Sequence, residues 1–176
     1  LCDDEFLTLI KDKNKENSDF LAQKADKVRK SIYGRDVYIR GLIEFTNYCK
    51  NDCRYCGIRK SNAAVQRYRL SKEDILECCK TGYALGFRTF VLQGGEDGFF
   101  TDDRLTDIIG SIKTMHPDCA VTLSVGERDY SAYKAFFFFF QDRYLLRHET
   151  ADTEHYSRLH PPNLSLESRM ECLYSL

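Results

Sequence analysis

The sequence has no excess charge, no long apolar run and little proline. Its 176 residues carry 26 lysines and arginines against 27 acidic residues, for a net charge of −1. That balance argues against a domain-wide basic footprint for nucleic acid. No apolar stretch approaches the roughly 18 residues of a membrane-spanning helix, so no membrane partner is expected. The opening Leu1-Cys2-Asp3-Asp4-Glu5 is acidic where a secretory leader would be basic. The first residue is not Met, so the expectation is a piece of a longer chain, or one whose initiator was removed or left unrecorded. Only three prolines occur, and no interdomain linker is visible. Against these absences stands a composition 43% hydrophobic and 13% aromatic, enough to bury a core. At roughly 100–200 residues per domain, this length is one domain or part of a larger one.

Eight cysteines, at positions 2, 49, 53, 56, 78, 79, 119 and 172, are the informative feature. Without a secretory leader, clustered cysteines point to metal or redox chemistry in a reducing cytoplasm rather than to disulfides. Cys49-Lys50-Asn51-Asp52-Cys53-Arg54-Tyr55-Cys56 forms a C-x3-C-x2-C run. Three thiolates on one loop can hold three corners of an iron–sulfur cluster and leave one iron open to a ligand. Zinc is an alternative, but no Cys or His follows within twenty residues of Cys56 to complete four ligands. Unliganded thiols are the third reading.

Apolar periodicity and punctuation organise the chain. Helices are expected over 3–13 and 18–33, the second capped by Ser18 or Asp19, carrying Phe20, Leu21, Ala25, Val28 and Ile32, and closed by Gly34. A strand is expected over 37–45, then the cysteine loop to about residue 68. Beyond it, helices and strands alternate: helix 71–85 with a Ser71–Asp74 capping box and Gly86 at its end, strand 87–93, helix 102–115 capped by Thr101 or Asp102, strand 120–125, helix 129–137, strand 143–147, and helices 152–159 and 165–176. This is an α/β pattern with a parallel sheet. Four strands do not close a barrel. The reading is therefore an N-terminal helical segment, 1–36, followed by the N-terminal half of a (β/α) TIM-type barrel, 37–176, truncated at the C-terminus. A complete open four-stranded sheet is the alternative.

In (β/α) barrels the active site lies at the C-terminal ends of the strands. The cysteine loop follows the first strand; Gln93-Gly94-Gly95-Glu96-Asp97, Ser124-Val125-Gly126-Glu127 and Arg147-His148-Glu149-Thr150 follow the next three. Four polar clusters thus share one rim. The Gly94-Gly95 pair admits close backbone approach to a ligand, or is an ordinary turn. Arg147 and Glu149 also read as a solvated pair. Arg54, Arg59, Lys60, Arg67 and Arg69 either attract an anion or form a solvated face. Cys78 and Cys79 read as buried small apolar residues, Cys2, Cys119 and Cys172 as structural, and His116, His155 and His160 as surface groups. Phe136–Phe140, five phenylalanines in a row, is an aggregation hazard if exposed, and no physical reason for it is legible.

These motifs resemble the radical S-adenosylmethionine (SAM) superfamily, and in finer detail the [FeFe]-hydrogenase maturases of the HydE kind. The resemblance rests on the cysteine run, Tyr55 before its third cysteine, Gly94-Gly95-Glu96, and the segments 40–47, 121–127 and 142–151. It implies a partial radical SAM barrel and a [4Fe–4S] cluster on Cys49, Cys53 and Cys56 that cleaves SAM to a 5′-deoxyadenosyl radical. It implies adenine against Tyr55, the SAM amino group against Gly94, Gly95 and Glu96, ribose on Glu149, the SAM carboxylate on Arg169, and Ser124 beside the cofactor. Gln93, Thr122 and Arg147 are then expected to face the substrate, a small organometallic or thiol-containing species. Other hydrogenase maturases and an electron donor are the implied protein partners. The phenylalanine run departs from the pattern, because a Gly-containing turn is expected before Asp142. Enzymes like methylornithine synthase or biotin synthase, and a non-catalytic iron–sulfur or zinc module, are the competing readings.

Overall fold

The structure is a computed structural model and describes residues 2–12 and 14–176. It divides into two compact units, Leu1–Tyr38 and Ile39–Leu176. The first unit holds α1 (Asp3–Lys11) and α2 (Lys15–Tyr33), neither of which buries a residue. Helix α1 opens with a reciprocal cap, in which the Cys2 N–H donates to the Glu5 carboxylate at 2.9 Å. The last residue expected for this helix lies outside the described residues. Helix α2 starts earlier than Ser18 or Asp19 would place it. Asn14 is the cap, its side-chain oxygen accepting from the Asn17 N–H at 2.8 Å. The apolar residues expected on its inner face, Phe20, Leu21, Ala25, Val28 and Ile32, are exposed.

The second unit alternates strands and helices: β1 (Gly41–Thr46), α3 (Lys72–Ala84), β2 (Thr89–Gly94), α4 (Asp102–Met115), β3 (Ala120–Ser124), α5 (Tyr130–Phe138), β4 (Arg143–Tyr144), α6 (Thr153–Leu159) and α7 (Leu166–Ser175). The sheet order is β1-β2-β3-β4, every pair parallel. This is the expected α/β architecture, because each crossover helix returns the chain to the same end of the sheet. Local caps fix the helix starts. Ser71 and Asp74 cap α3 reciprocally, each N–H donating to the other's side chain at 3.1 Å. Thr101 caps α4, Asp129 caps α5, and Gly86 leaves α3 at φ +95°.

The strand ends differ from expectation because strand length is set by the partner. Val37, Tyr38 and Ile39 are exposed, and β1 begins only where Gly41 pairs with Phe90 of β2. Strand β4 pairs two residues, Arg143 and Tyr144, with Thr122 and Leu123. One more bond follows, from the Leu145 N–H to the Leu123 carbonyl at 2.8 Å. Beyond Ser124 the third strand turns away through Gly126 at φ +78°, so residues 146 and 147 have no ladder to join.

One sheet face packs Ile43, Phe45, Phe90, Leu92, Val121 and Leu123 against Ile75, Leu105, Ile109, Ile112 and Phe136 from the helices. Burying these side chains is the main stabilising contribution. Phe136 gives part of the phenylalanine run a physical role as a core residue. Phe137, Phe138, Phe139 and Phe140 are exposed, and Phe140 sits at φ +65° where a Gly-containing turn was expected. Three further expectations change. Cys79 is buried but Cys78 is exposed, since adjacent helical residues point to different faces. Cys2 is exposed rather than packed. His116 is buried and stacks on Tyr83, with ring centroids 4.2 Å apart.

Candidate cluster and cofactor site

The cysteine loop, residues 47–70, has no helix or long strand, so side chains must satisfy its backbone. Arg67 does most of this. Its guanidinium donates to the carbonyls of Ile58 (2.9 Å), Arg59 (2.7 Å), Asn62 (3.2 Å) and Asn47. The loop is thereby tied at both ends, before Cys49 and after Cys56. Asn47 adds two bonds, donating to the Gln66 carbonyl and accepting from the Tyr68 N–H. Arg69 forms a two-pronged pair with Asp97, at 2.6 and 2.9 Å, and lies 3.9 Å over the Tyr48 ring. Arg67 and Arg69 are therefore neither an anion-attracting surface nor a solvated face. They hold the loop in shape.

The two glycines at the end of β2 carry the loop. A Cβ on Gly95 would overlap the Tyr48 carbonyl and the Cys49 side chain, and one on Gly94 would stand 2.6 Å from the Thr46 methyl. The close approach is to the cysteine loop itself. The Lys50 N–H donates to the Glu96 carbonyl at 2.9 Å, completing the dock.

Asp97 is the anchor beneath. It accepts from Arg69, from the Thr46 hydroxyl at 2.8 Å and from the Phe99 N–H at 3.0 Å. Burial raises its carboxyl, but these donors outweigh it and hold the group below the usual carboxylate range.

Above the loop lies a cavity of about 220 Å³. Cys49, Cys53, Cys56, Tyr55, Gln93, Gly94, Gly95, Glu96, Ser124, Arg147, Glu149 and Arg169 all line it. Thr122 does not. It sits one row deeper on the face that Ser124 shares, in register with Val91 and Arg143. A larger cavity, of about 890 Å³, runs between β1 and α3, but none of the candidate residues lines it. Size alone does not point to the chemistry.

Of the residues that line this cavity, Glu96 and Arg169 each bury a polar atom that makes no hydrogen bond. Glu96 Oε2, Glu127 Oε1, Arg169 Nε and the Tyr156 hydroxyl are buried without a hydrogen bond. Arg169 Nε lies 2.7 Å from Glu127 Oε1 and Glu96 Oε2 lies 3.1 Å from Lys50 Nζ, distances that make ion pairs but not aligned hydrogen bonds. Burial works against the Arg169 charge, and Glu127 and Tyr156 restore it. Arg169 also donates to the Arg147 carbonyl at 3.1 Å. Glu149 sits at φ +65°, centred in a three-residue turn closed by the Thr150 N–H on the His148 carbonyl at 2.8 Å. For a residue with a side chain this backbone is strained, and such strain gathers at functional sites.

The donor set fits an iron–sulfur cluster. Burial, then the neighbouring Cys49 and Cys56, push the Cys53 thiol up to about 11, and burial raises Cys49 as well. Thiols so placed need a strong local cation to ionise, which bound iron supplies. No group of three or more His, Cys, Asp or Glu among the described residues is placed to hold one metal ion. In a four-iron cluster each thiolate binds its own iron, so the sulfurs need not converge as zinc ligands must.

The roles of four residues of the site escape a reading of the sequence. Arg67 has no local signal. Gly126 does: a glycine leaves β3, and a Cβ there would overlap the Glu96 side chain. Glu127 appears in the rim cluster, but only the fold reveals Arg169 as its partner. His160, expected at the surface, is 1% exposed beneath Tyr55.

Comparison with known proteins identifies the family. The [FeFe] hydrogenase maturase subunit HydE of Thermotoga maritima is 42% identical over 152 residues, covering 86% of this chain and 43% of that protein. The 3-methylornithine synthase of Methanosarcina barkeri is 36% identical over 115 residues, covering 64% of this chain and 33% of that one. The crystal structure of methylornithine synthase (PylB) superposes with a TM-score of 0.85 at 30% identity, covering 99% of this chain and 52% of that chain. The chain thus spans about half the length of its relatives or less. Residues 43–176 match the family described as the Radical SAM superfamily, so the chain belongs to that superfamily, whose members use a [4Fe–4S] cluster and S-adenosylmethionine.

Proposed function

We propose that this chain is the cluster- and SAM-binding part of a cytoplasmic radical SAM enzyme that acts in assembly of the [FeFe]-hydrogenase active site. One observation carries the reading. Glu96, ion-paired with Lys50 at 3.1 Å, and Arg169, ion-paired with Glu127 at 2.7 Å, line one cavity with the three cysteines, and neither pair makes an aligned hydrogen bond. Opposite charges held so match the ammonium and carboxylate of an amino acid. When bound, the reduced cluster and SAM together supply one-electron cleavage of a sulfonium carbon–sulfur bond and the organic radical that results.

The residues take these roles. Cys49, Cys53 and Cys56 hold three irons and leave the fourth open. Gly94, Gly95 and Glu96 receive the amino group, and Arg169 the carboxylate. Tyr55 lies against adenine, Glu149 accepts from the ribose hydroxyls, and Ser124 faces the same ligand. Gln93 and Arg147 turn to the substrate, with Thr122 one row deeper. Water exclusion is the task of the cavity walls, since a radical must meet only its substrate. Residues 37–176 contribute the first four strands of the barrel. The substrate is a small organometallic or thiol-containing species, and the protein partners are other maturases and an electron donor.

The 36% identity to 3-methylornithine synthase and the fit to PylB favour a second reading, a methylornithine-synthase-like enzyme on the same site. Anaerobic loading with iron and sulfide tests both. An EPR signal of the reduced cluster that shifts on adding SAM and is lost in Cys53→Ala is the expected result. A cluster indifferent to SAM would return the chain to a binding module. Restoration of hydrogenase activity in maturase-deficient cells then separates the two enzymes.

A further inference from the structure

The geometry points to His160 as the positioning residue for Tyr55, so the end of α6 sets the wall of the cysteine loop that meets SAM. The inference rests on the SAM-binding reading above. His160 is the C-cap of α6, and its own N–H donates to the Tyr156 carbonyl at 3.0 Å. Its ring is fixed on three sides. The plane stacks on Tyr156 with centroids 3.8 Å apart and 17° between planes. Nδ1 lies 2.9 Å from the Tyr156 carbonyl, which only accepts, so Nδ1 carries the proton. In the neutral ring Nε2 is then an acceptor, and the Tyr55 hydroxyl donates to it at 3.1 Å. The two rings meet edge to face, 5.4 Å apart.

A second contact makes the dock two-point. The Arg54 N–H donates to the Leu159 carbonyl at 2.9 Å. Backbone and side chain of adjacent residues, 54 and 55, thus grip adjacent residues, 159 and 160. This stretch lies between Cys53 and Cys56 and has no ladder of its own. Tyr55 is half exposed to the cavity, so the bond to His160 is what selects one orientation of its ring. Tyr156, stacked on the imidazole, is itself 1% exposed, so the ring that holds Tyr55 rests on a buried side chain.

The test uses the full chain with its cluster loaded. Tyr55→Phe keeps the ring and deletes the hydroxyl at a half-exposed site, so folding is not at stake. His160→Ala removes the acceptor, and His160→Gln keeps one. SAM affinity is read by titrating the EPR shift, alongside iron per chain and melting temperature. Loss of one hydrogen bond should weaken SAM binding about fivefold in Tyr55→Phe. The double variant Tyr55→Phe/His160→Ala should be no weaker than His160→Ala alone, and His160→Gln should recover part of the loss. Iron per chain should be unchanged in Tyr55→Phe. Wild-type SAM affinity in Tyr55→Phe, or effects that multiply, would overturn the inference. A ligand-free readout separates its failure from that of the enzyme reading. In 15N-histidine spectra of the cluster-free chain, His160 should show the Nδ1–H tautomer, with an Nε2 resonance that moves in Tyr55→Phe. An unmoved resonance refutes the bond whether or not SAM binds; a moved resonance with no SAM binding in the parent chain refutes the enzyme reading and, with it, the role assigned to His160.

Discussion

The cysteine loop and the stretch from the end of α5 to Glu149 both line the cavity, yet they are built in contrary ways. The loop has almost no regular structure, but Arg67 and Asn47 take up its carbonyls and amides one by one. The second stretch contains a helix end and a strand, but the strand pairs two residues, four phenylalanines face solvent, and Phe140 and Glu149 both sit at φ +65°. The contrast predicts that firmness at this site follows satisfied polar groups rather than regular secondary structure.

Several variants press on that contrast. The largest effect is expected within the phenylalanine run. Phe136 is fully buried against Tyr144, so Phe136→Ala should cost about 3–5 kcal/mol in chemical denaturation. In the loop, Arg67→Ala strands four carbonyls and should cost about 2–3 kcal/mol, some returned by water. Its sharper signature is loss of most iron per chain after reconstitution. Arg67→Lys should rescue little, because an ammonium cannot fork to four acceptors. Gly95→Ala should cost about 1–3 kcal/mol, since the added methyl must displace Tyr48 and Cys49. Retention of full iron in Gly95→Ala would show that the loop yields more easily than its hydrogen bonds imply.

Asp97 tests the loop through pH. Its folded carboxyl lies below the ordinary value, so the unfolded chain binds the proton more readily. The stability it contributes is therefore complete above the usual carboxylate range, near pH 4, and drains away as pH falls through the lower folded value. Asp97→Asn should lose about 1–2 kcal/mol at neutral pH and show a flatter acid limb in melting experiments. An acid limb identical to that of the parent would mean that Arg69 and Asp97 stabilise nothing together.

How much of this was legible in the sequence depends on how local each cause is. The capping pair Ser71–Asp74, Thr101 and Asp129 act within three residues, and their helices start where the sequence places them. Helix α2 misled because Asn14, Asn17, Ser18 and Asp19 all suit a cap, and local chemistry does not choose among them. The strands were misjudged at their ends because a partner strand decides where pairing stops. The cysteine spacing and the polar residues after each strand announced the cavity, since both are sequence patterns. The support of that cavity was silent. Tyr55 and His160 are 105 residues apart, and nothing near either residue predicts their bond.

The smallest effect should come from the exposed phenylalanines. Phe137 and Phe138 are each 75% exposed, whereas Phe136 beside them is fully buried. One residue of helix turns a side chain by about 100°, so the run places one ring in the core and the next two in water. Replacing an exposed apolar ring removes little burial and leaves no cavity. The double variant Phe137→Lys/Phe138→Lys should therefore stay within about 0.5 kcal/mol of the parent in denaturation. It should also slow aggregation in light scattering, because a charge breaks an uncharged aromatic run. A loss of several kcal/mol would instead mean that these rings pack against part of the protein, and would move the second stretch toward the well-supported class that the cysteine loop represents.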